Sequence, residues 1–111
     1  MNANAPRSAL TPDDIRKVSP ALENYTRSAI ESDLWTRPGL SARDRSIVTA
    51  SALIARNQTI GMLHYFNIAL DSGVKPGELS EIITHLAFYS GWSNAFTAMP
   101  VVMALFEKRS E

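Results

Sequence analysis

Between Ser41 and Ser90 the chain carries three helix-length segments, each with its own start and stop signals and only a few residues between them. That stretch admits little besides a helical bundle. Ser41-Ala-Arg-Asp44 reads as a capping box, with a carboxylate three residues after the cap. The helix it opens runs to about Arg56 through IVTASALIA (47–55), which is apolar on nearly every side. Such a helix is central in its own domain or sandwiched at an interface. Asn57-Gln58-Thr59 breaks it, and Thr59 is placed to cap a second helix over about Ile60–Ser72, closed by Gly73 at the usual C′ position. Val74-Lys75-Pro76-Gly77 is a turn, and a third helix spans about Gly77–Ser90 with Gly91 after it.

The flanks follow the same grammar. Thr11 can cap a short turn over Pro12–Lys17, with Pro12 first and Asp13 and Asp14 in the first turn. Ser19-Pro20 repeats the signal for a helix over about Pro20–Ser32. WTRPGL (35–40) is a loop, punctuated by Pro38-Gly39. Ser93 can cap a last helix to about Lys108, kinked at Pro100, with Lys108 and Arg109 at its negative end. No segment sustains a two-residue alternation. The expectation is all-α: five or six helices with short connections, hence antiparallel neighbours, in one domain over 12–111 behind a loose arm over 1–11.

Composition narrows the function. With 111 residues, a chain buries roughly 65% of its unfolded surface, a thin core that self-association would help. Lys+Arg and Asp+Glu are 11 each, so no basic or acidic excess points to nucleic acid or to a membrane surface. There is no cysteine, which removes disulfides, thiolate metal sites and thiol chemistry. The first residues lack the form of a signal peptide, and no apolar run reaches the ~18 residues of a membrane span. The expected location is the cytoplasm.

Two helices carry histidine. On a wheel of about 100° per residue, Met62, Leu63, Phe66, Ala69 and Leu70 of TIGMLHYFNIAL form one core face. His64 falls nearly opposite, toward solvent or a partner subunit. Tyr65 lies at the edge of the core face, the usual flank of a pocket, or else packs there with its hydroxyl at the rim. On the next helix Leu79, Ile82, Ile83, Leu86 and Tyr89 share a side. Glu81 and His85 are one turn apart, so they can touch. A carboxylate on an imidazole fixes its tautomer and raises its pKa, which prepares a general acid or base; the alternative is an ordinary surface pair. Two histidines and two glutamates without an HExxH-type pattern make a weak metal site, and none is expected.

The runs WTRPGLSARDRSIVTASALIARNQT and ALDSGVKPGELSEIITHLAFYSGW resemble the carboxymuconolactone decarboxylase family, which includes the AhpD-like alkylhydroperoxidases. The resemblance covers about Ser19 to Glu107. It implies an all-α fold assembled as a trimer or hexamer, with pockets lined from more than one subunit. It also implies that the Cys-x-x-Cys and histidine of the peroxidases would fall at Gln58, Gly61 and Tyr65, so thiol peroxidase chemistry is excluded. The glutamate and histidine of the decarboxylases would fall at Gly61 and Tyr65. The implied substrate is a small carboxylated lactone or related cyclic acid, handled without a cofactor. On this reading Arg45 binds the carboxylate with Tyr89 and Trp92 nearby, His85 oriented by Glu81 moves a proton, and Tyr65 donates a hydrogen bond or acts as a weak acid. The alternative is a non-catalytic small-molecule-binding or scaffold protein on the same fold.

Overall fold

The computed structural model describes residues 10–110. Most of the expected N-terminal arm therefore lies outside the described residues. Among the described residues six α-helices follow one another: α1 (Pro12–Val18), α2 (Pro20–Tyr25), α3 (Ala42–Ala55), α4 (Met62–Asp71), α5 (Pro76–Ser90) and α6 (Trp92–Arg109). Among the described residues there is no strand, and no helix is long and apolar enough to cross a membrane. The all-α expectation holds.

Local chemistry sets the boundaries. Thr11 and Asp14 form a reciprocal capping box on α1, Thr11 Oγ1 accepting from the Asp14 N–H and Asp14 Oδ2 from the Thr11 N–H. Ser19 ends α1 and caps α2, its Oγ accepting from the Leu22 N–H. At α3 only half of the expected box forms, Ser41 Oγ accepting from the Asp44 N–H at 3.0 Å. Both α3 and α4 close with the same paired backbone bonds, the Gln58 N–H to the Leu53 carbonyl in one and the Val74 N–H to the Ala69 carbonyl in the other. That closure needs a left-handed residue; Asn57 (φ 55°) and Gly73 (φ 102°) provide it.

Several boundaries differ from the expectation. The helix from Pro20 widens after Tyr25 into a π-helical turn over Thr26–Glu31. There the Thr26, Ser28 and Ser32 hydroxyls donate to main-chain carbonyls four or five residues back, in competition with the regular ladder. The loop at 35–40 opens with a 3₁₀ turn, Leu34–Thr36. Thr59 does not cap α4 but begins a 3₁₀ turn, Thr59–Gly61, that leads into it. Helix α6 starts at Trp92, directly after Gly91 in positive φ, rather than at a Ser93 cap, and it continues through Pro100.

The centre of the bundle is α3, packed against α4, α5 and α6. Its buried stripe is Ser46, Ala50 and Ile54, spaced four apart. Met62, Phe66 and Ala69 of α4, Leu79 and Ile83 of α5, and Ala95, Ala98, Val102 and Leu105 of α6 complete the interior. The face read from the sequence for α4 is thus the core face. Tyr89 departs from its expected side and is 79% exposed. Polar clamps hold the periphery: Asn94 donates to the Ala55 carbonyl at the end of α3, and Arg109 pairs with Asp71 at 2.7 Å, tying α6 to α4.

The first two helices stand apart from this interior. Helix α1 has no buried residue and packs on α2. The single buried side chain of α2 is Glu23. A cleft remains between this arm and the start of α4.

Candidate functional site

The cleft has a volume of about 490 Å³. Its floor is the 3₁₀ turn and first turn of α4, through Ile60, Gly61, His64 and Tyr65. One wall is Leu10 with Pro12, Ile15 and Arg16 of α1. The other is Glu23, Thr26, Arg27 and Glu31, which recur along one side of the helix that passes from α2 into the π turn. Such π turns are enriched at functional sites.

The charged groups are organised around Glu23. Only 8% of this residue is exposed, which is rare for a glutamate without partners. Arg27 Nη1 donates to both of its carboxylate oxygens, at 2.7 and 3.0 Å, and Arg16 Nη2 reaches Oε1 at 3.4 Å. The arginines are held in turn, Arg16 by Asp13 and Arg27 by Asn24. Both guanidiniums remain about half exposed and border the cleft.

The aromatic groups are organised around Tyr65. Its ring stacks on Trp35 and meets the His64 imidazole edge-on at 4.8 Å. Burial first, and the Glu31 carboxylate second, push the Tyr65 phenol above its ordinary range. At neutral pH it is a hydrogen-bond donor. His64 is exposed, as its place on the wheel requires, yet its ring also borders the cleft. The direction away from the core leads to the site as well as to solvent, because the α1–α2 arm lines the far side of the same cleft.

The other residues singled out from the sequence lie elsewhere. Glu81 and His85 are exposed on α5 and make no hydrogen bond to each other among the described residues. His85 stacks on Tyr89 instead, at 4.9 Å, and Trp92 meets Phe88 edge-on at 5.1 Å. None of these borders the cleft. Arg45 donates through Nη2 to the Arg37 carbonyl, bracing the loop before α3, and its buried Nε has no partner among the described residues. Of the expected set, the structure brings only Tyr65 into the cleft. Arg16, Glu23, Arg27 and Glu31 were not singled out by the sequence reading. Their one signal was the four-residue Glu23–Arg27 spacing, which any solvated helix face shows. Among the described residues no three His, Asp or Glu side chains gather as a metal site.

A small helical bundle whose cleft presents a phenol, an imidazole, two guanidiniums and carboxylates has the groups for acid–base chemistry on a small acid. The chain belongs to the carboxymuconolactone decarboxylase family, whose sequence model matches residues 20–104. It is similar to the 4-carboxymuconolactone decarboxylase of Acinetobacter baylyi, 28% identical over 85 residues, which are 77% of this chain and 63% of that protein. It is also similar to the nitrosuccinic acid decarboxylase npaB of Metarhizium robertsii, 31% identical over 68 residues, 61% of this chain and 48% of that one. The chain thus spans about half to two thirds of the length of the curated relatives it matches.

Proposed function

We propose that the protein is a cofactor-free decarboxylase of a small carboxylated lactone or related cyclic acid, and that the cleft at the start of α4 is its active site. The observation that carries this reading is Tyr65. It occupies the position where the family resemblance puts a histidine, and it borders a cleft that also holds His64, Arg16 and Arg27. The names of both relatives are those of decarboxylases.

The chemistry needs three things. The acid must be bound; Arg16 and Arg27 face the cleft with charge and spare N–H donors. As the C–CO₂ bond breaks, its electron pair must pass into a sink. A conjugated lactone carbonyl is such a sink, and the Tyr65 hydroxyl donates a hydrogen bond to the oxyanion that forms there. Finally the dienolate carbon must take a proton. The His64 imidazole borders the cleft and is open to solvent, so it is placed to pass a proton to that carbon and to take another from solvent. Carbon dioxide leaves, one proton enters, and no oxidant is consumed. In this scheme His64 takes the role that the resemblance reading gave to His85, and Arg16 and Arg27 take that of Arg45.

The test is carbon dioxide release from 4-carboxymuconolactone by the purified protein, with His64→Gln and Tyr65→Phe beside it. Turnover that both variants reduce strongly supports the reading. Saturable binding without turnover would favour a ligand-binding protein on the same fold.

The homo-oligomer belongs to the same proposal. Phe88 (73% exposed), Tyr89, Trp92, Phe96, Met99 and Met103 make an apolar surface along the end of α5 and the outer side of α6. Exposed apolar surface of that kind favours contact between copies. A trimer or hexamer in native mass spectrometry, dispersed by Phe88→Asp, is the expected result.

A further inference from the structure

A second cleft, of about 180 Å³, adjoins the first. Glu31, His64 and Tyr65 border both, and Ile30, Trp35 and Ile68 complete the second. The groups are sorted between them. Both guanidiniums and Glu23 belong to the large cleft. The small one has three partly buried, largely apolar side chains and one aromatic wall, the Trp35–Tyr65 stack. Tyr65 and His64 stand at the junction, where the proposed reaction takes place.

We propose that the small cleft is a subsite for an apolar substituent of the acid. The preferred substrates of this chain are then carboxylic acids bearing a neutral group of up to the size of a phenyl ring. This rests on the reading that the large cleft takes the acid. Three observations support it. The volume is right, since cavities of about 150 Å³ lined by apolar side chains hold benzene. The walls are right, since a planar ring gains from stacking on tryptophan or tyrosine. The charge is right, since both arginines line the large cleft and neither lines the small one, which leaves a neutral group better suited to it than an anionic one. An occupant of the subsite holds the substrate by its tail while the reacting carbon faces His64 and Tyr65.

Succinate and phenylsuccinate separate the two clefts without requiring turnover. Both acids are titrated calorimetrically into the full chain. Phenylsuccinate is expected to bind about tenfold more tightly than succinate, the gain from burying most of one ring. Ile68→Trp fills the small cleft and is expected to cut that preference to less than about twofold, with succinate affinity preserved. Trp35→Ala, which removes the aromatic wall, is the second variant in case the first does not fold, and it too should lose most of the preference. Equal affinity for the two acids in the wild type, or a preference untouched in a folded variant, overturns the subsite. Turnover of 4-carboxymuconolactone with no phenyl preference would sink the subsite alone. A phenyl preference with no carbon dioxide released from any acid would uphold the subsite and sink the decarboxylase reading.

Discussion

The Tyr65 ring lies against the indole of Trp35, with centroids 5.9 Å apart and planes 16° from parallel. The stack fixes the ring without using the hydroxyl, so the two contributions can be separated. Tyr65→Phe keeps the ring and its packing but removes the donor. Loss of one oxyanion donor typically slows turnover about 10²–10³-fold. The expected result is a kcat reduced by about that factor, with KM and thermal midpoint little changed. Trp35→Ala should do the reverse, weakening KM more than kcat.

The same phenol makes stability depend on alkaline pH. Its pKa is raised in the folded chain by burial, with Glu31 adding to it. The folded state therefore holds this proton more tightly than the unfolded state. The stabilisation is complete below the ordinary tyrosine value, about 10, and is lost as pH rises through the folded value. Thermal unfolding from pH 8 to 11 should show a steeper decline above about pH 10 in the wild type than in Tyr65→Phe. Parallel curves would mean that the phenol is solvated in both states.

The two histidines separate the proposed site from the one drawn with the family resemblance. His64 borders the cleft, whereas His85 stacks on Tyr89 on the outer side of α5. His64→Gln should lower kcat about 10²-fold or more, the usual weight of a positioned acid. His85→Ala should leave turnover by an intact assembly within about twofold. The opposite pattern would return the chemistry to Glu81 and His85, and would require a neighbouring copy to build a pocket around them.

That contrast marks how much was legible in the sequence. Boundaries made by local chemistry were readable: Gly73 closing α4, Ser19 opening α2, the Asn57 break, and the core face of Met62, Phe66 and Ala69. Each depends on a few adjacent residues. The π turn after Tyr25 was not readable, because hydroxyls that bond back to the main chain leave no apolar period. The cleft was hidden for another reason. Glu23 and Arg27 are a common surface spacing, and their sequence does not show that α1 packs on this helix or that the carboxylate is buried. His64 was correctly directed away from the core. Nothing in the helix itself reveals that another segment of chain lines a cleft on that side.

Acid should weaken the fold through Glu78. Its carboxylate accepts the Lys75 N–H at 3.0 Å at the start of α5 and pairs with Arg43 of α3. The bond from Lys75 and then the pairing with Arg43 hold its pKa below the ordinary value. The folded state thus binds this proton less well than the unfolded state. The stabilisation is present above the ordinary glutamate value, about 4.3, and is lost as pH falls through the folded value. Glu78→Gln can still accept from Lys75 but cannot neutralise Arg43. Its thermal midpoint should lie below that of the wild type at pH 7, with the gap closing below about pH 4. A gap that persists in acid would show that the carboxylate charge is not its source.

Gly61 tests whether the large cleft is the site at all. Its backbone has φ −95°, which any residue adopts. An added Cβ would lie 3.5 Å from Tyr65 Cδ2 and 3.7 Å from Leu53 Cδ1, in ordinary contact. Two small effects oppose each other in Gly61→Ala. Loss of freedom in the unfolded chain stabilises by about 0.4–1 kcal/mol, and alanine is a poorer helix cap than glycine by a similar amount. Stability should therefore change by no more than about 0.5 kcal/mol, with turnover kept. Gly61→Leu projects a larger side chain from the same backbone into the cleft floor beside Tyr65. It should lower kcat/KM at least about tenfold, the effect of excluding substrate from part of its volume, while the thermal midpoint stays close to that of Gly61→Ala. A folded Gly61→Leu protein with full turnover would show that the reaction happens elsewhere on the bundle.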